Sequence, residues 1–250
     1  MIELINVHKS FDNNKVLNGI SIKIQKGETF VIIGQSGTGK TVAIRHIAGL
    51  IQPDSGDVLI DGVKMNGASS KTKEELRKKM GIVFQSGALI NWMSVKDNIA
   101  LPLIENKLYP MNEIEKIVDI KLEILQLNSS KNKMPADISG GMCKRVSLAR
   151  VLVRNPGIIL YDEPTSGLDP VMSSLINDLI RQMQKKFNVT SVVVTHDMNS
   201  AYYIADKIAM LYEGKIIQCD KPEAIKNSKN AVVKQFIEGK TTGPIEVISF

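Results

Sequence analysis

Cysteine is almost missing from this 250-residue chain, which has only Cys143 and Cys219. They lie far apart, with no CxxC spacing and no cysteine–histidine cluster, so neither a disulfide framework nor a zinc site is indicated and both read as free thiols. Long apolar runs are missing too. A bilayer span needs about 18 consecutive apolar residues, whereas the longest runs here, such as Phe30 to Ile33, have the length of a strand. The opening residues, MIELINVHKSFDNN, lack the basic stretch and long apolar segment of a secretory leader. The expectation is a protein that stays in the cytoplasm and crosses no membrane by itself. Internal repeats and low-complexity segments are absent. An excess of basic residues, 32 against 26 acidic for a net +6, could suit nucleic acid or an anionic membrane, but it is modest and spread out. Its densest cluster, Lys71 to Lys79, carries Glu74 and Glu75 and reads as a solvated helix face, so no nucleic-acid partner is expected.

What is present is an ordinary globular composition, 43% hydrophobic and 23% charged, with short apolar strands alternating with helical stretches as in an α/β layer protein. Strands are expected at Glu3–Val7, Thr29–Ile33, Asp57–Ile60, Gly81–Phe84, Ile158–Tyr161, Ser191–Thr195, Lys207–Leu211 and Lys215–Gln218. Helices are expected after Lys40, Lys71 and Pro170, with Gly49 and Pro53 as breakers. From about Val95 to Val153 no strand is evident. The periodic run Glu113, Ile114, Ile117, Ile120, Leu122, Leu125 and a helix starting near Gly140 make this stretch a helical insertion.

Three elements carry chemistry. GQSGTGKT, spanning Gly34, Gln35, Ser36, Gly37, Thr38, Gly39, Lys40 and Thr41, lies between a strand and a helical stretch. Its glycines let the backbone curl so that successive N–H groups face phosphate oxygens at the positive end of a helix. Lys40 would reach the β and γ phosphates, and the Thr41 hydroxyl would meet Mg²⁺. IILYDEP ends an apolar strand in Asp162 and Glu163, at the sheet edge where open α/β proteins bind ligands. There Asp162 suits a water-mediated Mg²⁺ ligand and Glu163 the general base that polarises a water. ISGGMCKRVSLAR places Ser139, Gly140 and Gly141 at a helix start, a second anion site in one chain.

In this order the motifs resemble the ATP-binding-cassette ATPases over nearly the whole chain. Phe11 stands where that family stacks an aromatic on adenine. The P-loop follows, then Gln85 after the strand GIVF, the signature SGGM at Ser139 to Met142, the Asp162/Glu163 pair, the SGLD loop from Ser166 to Asp169, and His196 after VVVT. The resemblance implies a P-loop NTPase (RecA-like) core with an N-terminal antiparallel β subdomain. It also implies one cassette domain over residues 1–240, a helical subdomain inserted at about 88–154 and a tail at 241–250. It implies ATP and Mg²⁺ as ligands, with Thr41, Gln85 and Asp162 on the metal side, Glu163, His196 and Gln85 in hydrolysis, and Asp169 at the nucleotide. A head-to-tail dimer is implied as well, in which Ser139, Gly140 and Gly141 close over ATP held by the other subunit. Met142 replaces the usual Gln of the signature, and Tyr161 occupies a normally aliphatic position; neither removes a phosphate ligand.

With no membrane span of its own, the chain would need an integral-membrane permease. The SGGM signature, the string FQSGALINWMSVKDNIALPL and the ending KQFIEGKTTGP are similar to the ATPases of Mla/Mce-type lipid transporters. That similarity implies a place on the cytoplasmic face of the inner membrane, with a small accessory protein and an envelope substrate-binding protein as further partners. Two other readings stay open: a soluble cassette ATPase such as that of iron–sulfur cluster assembly, and an importer ATPase for another small solute. Trp92, Met93 and Val95 lie where the family receives a coupling helix, or else are core. The tail contains Ile245, Val247, Ile248 and Phe250 after the breakers Gly243 and Pro244. It would reach the other ATPase subunit or an accessory protein, or fold back on its own chain.

Overall fold

Two sheets share the chain. In a computed structural model that describes residues 1–107 and 109–246, β1 (Ile2–Phe11), β2 (Asn14–Ile24), β4 (Ser55–Ile60) and β5 (Val63–Lys64) form an antiparallel sheet in the order β2-β1-β4-β5. The second sheet has six strands. Its parallel part is β9 (Lys207–Tyr212), β3 (Thr29–Ile33), β8 (Thr190–Thr195), β7 (Ile158–Asp162) and β6 (Met80–Val83), with β10 (Lys215–Asp220) added antiparallel to β9.

β3, β7 and β8 are buried at every residue, which is why they read as unbroken apolar runs: a parallel sheet is covered on both faces. Alternate residues feed two cores. Phe30, Ile32, Leu160, Val192 and Val194 face the antiparallel sheet and α1 (Lys40–Ile47). Val31, Ile33, Ile159, Tyr161 and Val193 face the opposite side. That second core is roofed by α3 (Val95–Glu105), α4 (Met111–Ile124) and α5 (Gly140–Leu152), and by α6 (Pro170–Phe187). The first three of these lie between β6 and β7, so the helical insertion is present in the fold.

The remaining helices are α2 (Ser70–Lys78), α7 (Met198–Ile204), α8 (Pro222–Lys226) and α9 (Ala231–Glu238). None of the helices among the described residues is long and apolar enough to cross a membrane. Cys143 and Cys219 are free.

β2 and α3 are among the elements that escaped the sequence pattern. β2 buries Leu17 and then Ile20, Ile22 and Ile24. The period of two breaks at Gly19, where the register with β1 shifts and a Cβ would lie 2.9 Å from Asn6 Oδ1; a bulge of this kind hides a strand from an alternation test. α3 carries Pro102 inside it, a residue that ordinarily signals a helix end. Packing of Val95, Ile99 and Leu103 into the core outweighs that local penalty.

The tail, as far as Glu246, lies against its own chain. Ile245 is buried, its N–H donates to Gln235 Oε1 at 2.7 Å, and Gln235 Nε2 donates to the carbonyls of Ile245 (3.1 Å) and Lys240 (3.2 Å). The other apolar tail residues noted above, Val247, Ile248 and Phe250, lie outside the described residues.

Candidate nucleotide site

The P-loop leaves β3 at Ile33 and enters α1 at Lys40. Gly34 has φ +154° and sits so close to β9 that a Cβ would meet Leu211 O at 2.4 Å, so only glycine fits. Gly39, at φ +101°, precedes the helix without a side-chain cap, leaving the first helical N–H groups for a ligand. Thr38 Oγ1 donates to Gln35 O at 2.9 Å and fixes the loop's curl. Ser36 and Gly37 are exposed.

Lys40 is buried beneath this loop. Its ammonium donates to Gly34 O and Gln35 O, both at 2.8 Å, and lies 3.7 Å from Glu163 Oε1. Burial pulls its pKa below the usual lysine value, against the attraction of Glu163 and Asp162. Thr41 Oγ1 donates to Asp162 Oδ1 at 2.9 Å. Burial pushes the Asp162 carboxyl above the ordinary carboxylate range; the Thr41 hydrogen bond pulls the other way.

Glu163 follows β7 with φ +49°, in the left-handed region that non-glycine residues seldom adopt. Its N–H donates to Val194 O at 2.9 Å. Glu163 Oε2 is 2.9 Å from His196 Nδ1. The two are not aligned as a hydrogen bond, and Oε2 is a buried oxygen with no such partner. An acceptor held in this way suits a water or phosphate-bound hydroxyl arriving from the adjoining cleft of about 610 Å³, which Glu163, Ser166 and His196 help to line.

Lys40, Thr41, Asp162, Glu163 and His196 therefore converge at the carboxyl edge of the parallel strands. Gln85 lies just beyond β6 at the same edge and is exposed. Phe11 is at the tip of the β1–β2 hairpin, 44% exposed, with Lys9 Nζ 5.4 Å from its ring centroid. It does not line the cavity of about 520 Å³ beside the P-loop, although Asn14, Lys15 and Val16 of the same hairpin do. Asp169 caps α6, its Oδ1 accepting from the N–H groups of Val171 (2.9 Å) and Met172 (3.0 Å).

Ser139 caps α5, accepting from Met142 N at 3.3 Å. Ser139 and Gly140 are exposed, and neither they nor Gly141 line the two cavities. A Cβ on Gly140 would have nothing within 4 Å. The start of α5 is thus open to solvent at Ser139 and Gly140.

Three supporting groups were not legible in the sequence. Lys144 donates to the carbonyls of Glu163 (3.2 Å) and Ser166. Asn177 Nδ2 donates to Ser200 Oγ (2.8 Å), which donates to Asp197 Oδ2 (2.5 Å), bracing the turn that carries His196. Asn98 Nδ2 donates to the carbonyls of Ile90, Met93 and Ser94 and its Oδ1 accepts from Ile90 N, shaping the loop that presents Trp92. Trp92 is 82% exposed, whereas Val95 is fully buried. Val95 is therefore a core residue and not part of an outward-facing patch.

A family model described as "ABC transporter" matches residues 17–166. The chain belongs to the ABC transporter family. This cassette is 39% identical over 244 residues, 98% of its length, to the "Probable ribonucleotide transport ATP-binding protein mkl" of Mycobacterium leprae, of which it covers 70%. It is 36% identical over 245 residues to the "Intermembrane phospholipid transport system ATP-binding protein MlaF" of Haemophilus influenzae, covering 98% of the cassette and 93% of that protein. An ATP-binding cassette solved as a dimer in a post-hydrolysis state with ADP and phosphate superposes with a TM-score of 0.82 at 33% identity, over 89% of this chain and 99% of that one. The cassette is an ATPase with the expected P-loop fold.

Proposed function

We propose that this ATPase powers the transport of phospholipid or another hydrophobic molecule through a separate membrane permease, working as a head-to-tail pair on the cytoplasmic face of the membrane. The observation that carries the ATP chemistry is the convergence of Lys40, Thr41, Asp162, Glu163 and His196 at one sheet edge while Ser139 and Gly140 of the same chain are exposed and line neither cavity there. A site split in this way is completed by a second copy. The lipid cargo is supported by the name of the Haemophilus relative, which aligns over almost its full length. Ribonucleotide transport, named for the mycobacterial relative, is the second reading. A soluble non-transport ATPase is not favoured, because both relatives carry transport names. We also assign residues 1–240 to one cassette domain with its helical subdomain at about 88–154.

In hydrolysis, the P-loop amides and Lys40 would hold the phosphates while Phe11 stacks on the base and Asp169 and Gln35 to Thr38 flank the nucleotide. Thr41 and Asp162, two oxygen ligands already in contact, suit Mg²⁺. Two side-chain oxygens would leave the rest of the ion's shell to phosphate oxygens and water. Thr41 and Asp162 would hold the ion where its charge offsets the charge that develops on the phosphates. Glu163 Oε2 takes the proton of the attacking water, His196 steadies that carboxylate and the γ-phosphate, and Gln85 orients the water.

The test is in two parts. Ser139→Arg should abolish turnover with the ATP affinity of the monomer unchanged, because the signature serves the partner's site; an equal loss of both would refute the composite site. The native complex should co-purify with a polytopic membrane subunit and, in vesicles, ATP should drive movement of labelled phospholipid. Movement of ribonucleotide instead would favour the second reading, and association with soluble scaffold proteins alone would overturn transport.

A further inference from the structure

We propose that Lys144 is a positioning residue that ties the signature helix to the hydrolytic loop of its own chain. Engagement of Ser139–Gly141 with one nucleotide would then set the geometry of Glu163 at the other. The inference rests on the composite-site reading above.

Lys144 lies on α5, five residues after Ser139, and is 7% exposed. It forms no ion pair with a carboxylate among the described residues. Its ammonium instead donates to two main-chain carbonyls, Glu163 O at 3.2 Å and Ser166 O. A buried ammonium set against neutral carbonyls loses its hydration without the compensation of a paired charge. An apolar side chain of similar length would fill the space at less cost to folding. Burial accordingly holds the Lys144 pKa below the usual lysine value, with the charge of Glu163 opposing that shift.

The loop that Lys144 grips needs holding. Glu163 has φ +49°, and a conformation of this kind persists only where its surroundings over-determine it. Three hydrogen bonds act on its main chain. Its N–H donates to Val194 O on β8 (2.9 Å), its carbonyl accepts from Ser166 N within the same loop (3.2 Å), and the carbonyl also accepts from Lys144. Only the last comes from α5.

The same helix carries the signature at its exposed end. Five residues at about 1.5 Å each separate Ser139 from Lys144 by roughly 7.5 Å of rigid helix. A Cβ on Gly141 would lie 3.4 Å from Met172 and 3.5 Å from Leu168, so the first turn of α5 also packs on the segment leading from the hydrolytic loop into α6. A push on the signature is thus passed to Glu163 by a direct, charge-assisted contact, which is the kind of discrete physical link that coupling between sites requires.

Lys144→Met removes the donor and keeps the chain length; Lys144→Arg keeps a donor. Steady-state ATP hydrolysis by the full-length protein and fluorescent-nucleotide binding by the monomer are measured for each, alongside Glu163→Gln. Lys144→Met should lower kcat at least tenfold, leave the monomer's nucleotide Kd within twofold, and reduce the Hill coefficient for ATP from above one to about one. Lys144→Arg should recover at least a third of kcat and restore the cooperativity. A nucleotide Kd that rises along with the loss of kcat would overturn the proposal, since it would mean a general structural role. So would a lowered kcat with unchanged cooperativity, or a parent protein with a Hill coefficient of one. If Lys144→Met fails to fold, Lys144→Gln, which removes the ammonium and keeps a polar side chain, decides in its place: kcat or cooperativity lost despite normal nucleotide binding supports the coupling, and parental values for both overturn it. Normal hydrolysis in Lys144→Met with hydrolysis lost in Glu163→Gln sinks this inference alone. Normal hydrolysis in Glu163→Gln sinks the underlying site assignment.

Discussion

Replacing Glu163 with glutamine should have two effects of opposite sign, and both can be sized from the site. An amide cannot accept the proton of the attacking water. General-base catalysis contributes on the order of 10² to 10⁴ in rate, so turnover should fall at least a hundredfold, about 2.7 kcal/mol in barrier. The second effect is electrostatic. Glu163 Oε1 is 3.7 Å from Lys40 Nζ, and both side chains are almost wholly buried. Two unit charges about 4 Å apart attract by about 4 kcal/mol at an effective dielectric of roughly 20. To reach a γ-phosphate, Lys40 has to give up part of this attraction and its bonds to Gly34 O and Gln35 O. The phosphate in turn has to approach the carboxylate. With glutamine, Lys40 is released more easily and the repulsion vanishes. Water entering the opened loop screens most of the attraction; if about a third survives, ATP binds about tenfold tighter. ADP, which lacks the γ-phosphate, should gain less. Fluorescence titration at protein concentrations low enough to keep the chain monomeric gives both constants, and single-turnover assays give the rate. An ATP affinity that is unchanged or weaker would refute the electrostatic argument, and turnover within threefold of the parent would refute Glu163 as the base.

Asp162→Asn should raise the melting temperature of the nucleotide-free protein near pH 7 to 8, by about 2–4 °C for each kcal/mol at this chain length. Burial raises the folded-state pKa of Asp162 above its unfolded value, so ionisation opposes folding at neutral pH. That cost disappears as pH falls through the raised pKa and the parent carboxyl becomes neutral too; melting curves showing a gain that grows in acid would contradict this. Trp92→Glu should detach the ATPase from its membrane partner while leaving its melting temperature and nucleotide binding intact, whereas Val95→Ala, in the core, should cost about 1–3 kcal/mol by denaturant unfolding. The reverse pattern would show that the exposed indole is structural. Gln235→Ala should raise hydrogen exchange at the Ile245 amide tenfold or more with little change in global stability, because the released tail can hydrate instead of leaving polar groups buried. An unaltered exchange rate would mean that the amide clamp does not hold the tail.

The sequence alone pointed to the family and to the apolar strands of the core, and it supplied the strings proposed to hold the nucleotide. These are written in local signals: the unbroken apolar runs of β3, β7 and β8, the glycine spacing from Gly34 to Gly39, and the Asp162–Glu163 pair ending a strand. Each of those motifs requires a particular residue at a particular offset, and such a requirement survives as a string. Only the tertiary structure decided which apolar side chains are core and which are display, as Val95 and Trp92 illustrate three residues apart, because periodicity cannot report what packs on a loop held by Asn98. It alone turned Lys144 inward onto the Glu163 loop and set Gln235 against the main chain of Ile245. Those roles depend on hydrogen bonds to carbonyls and amides that every residue possesses, and a donor aimed at a generic backbone group leaves no signature in the sequence of its partner.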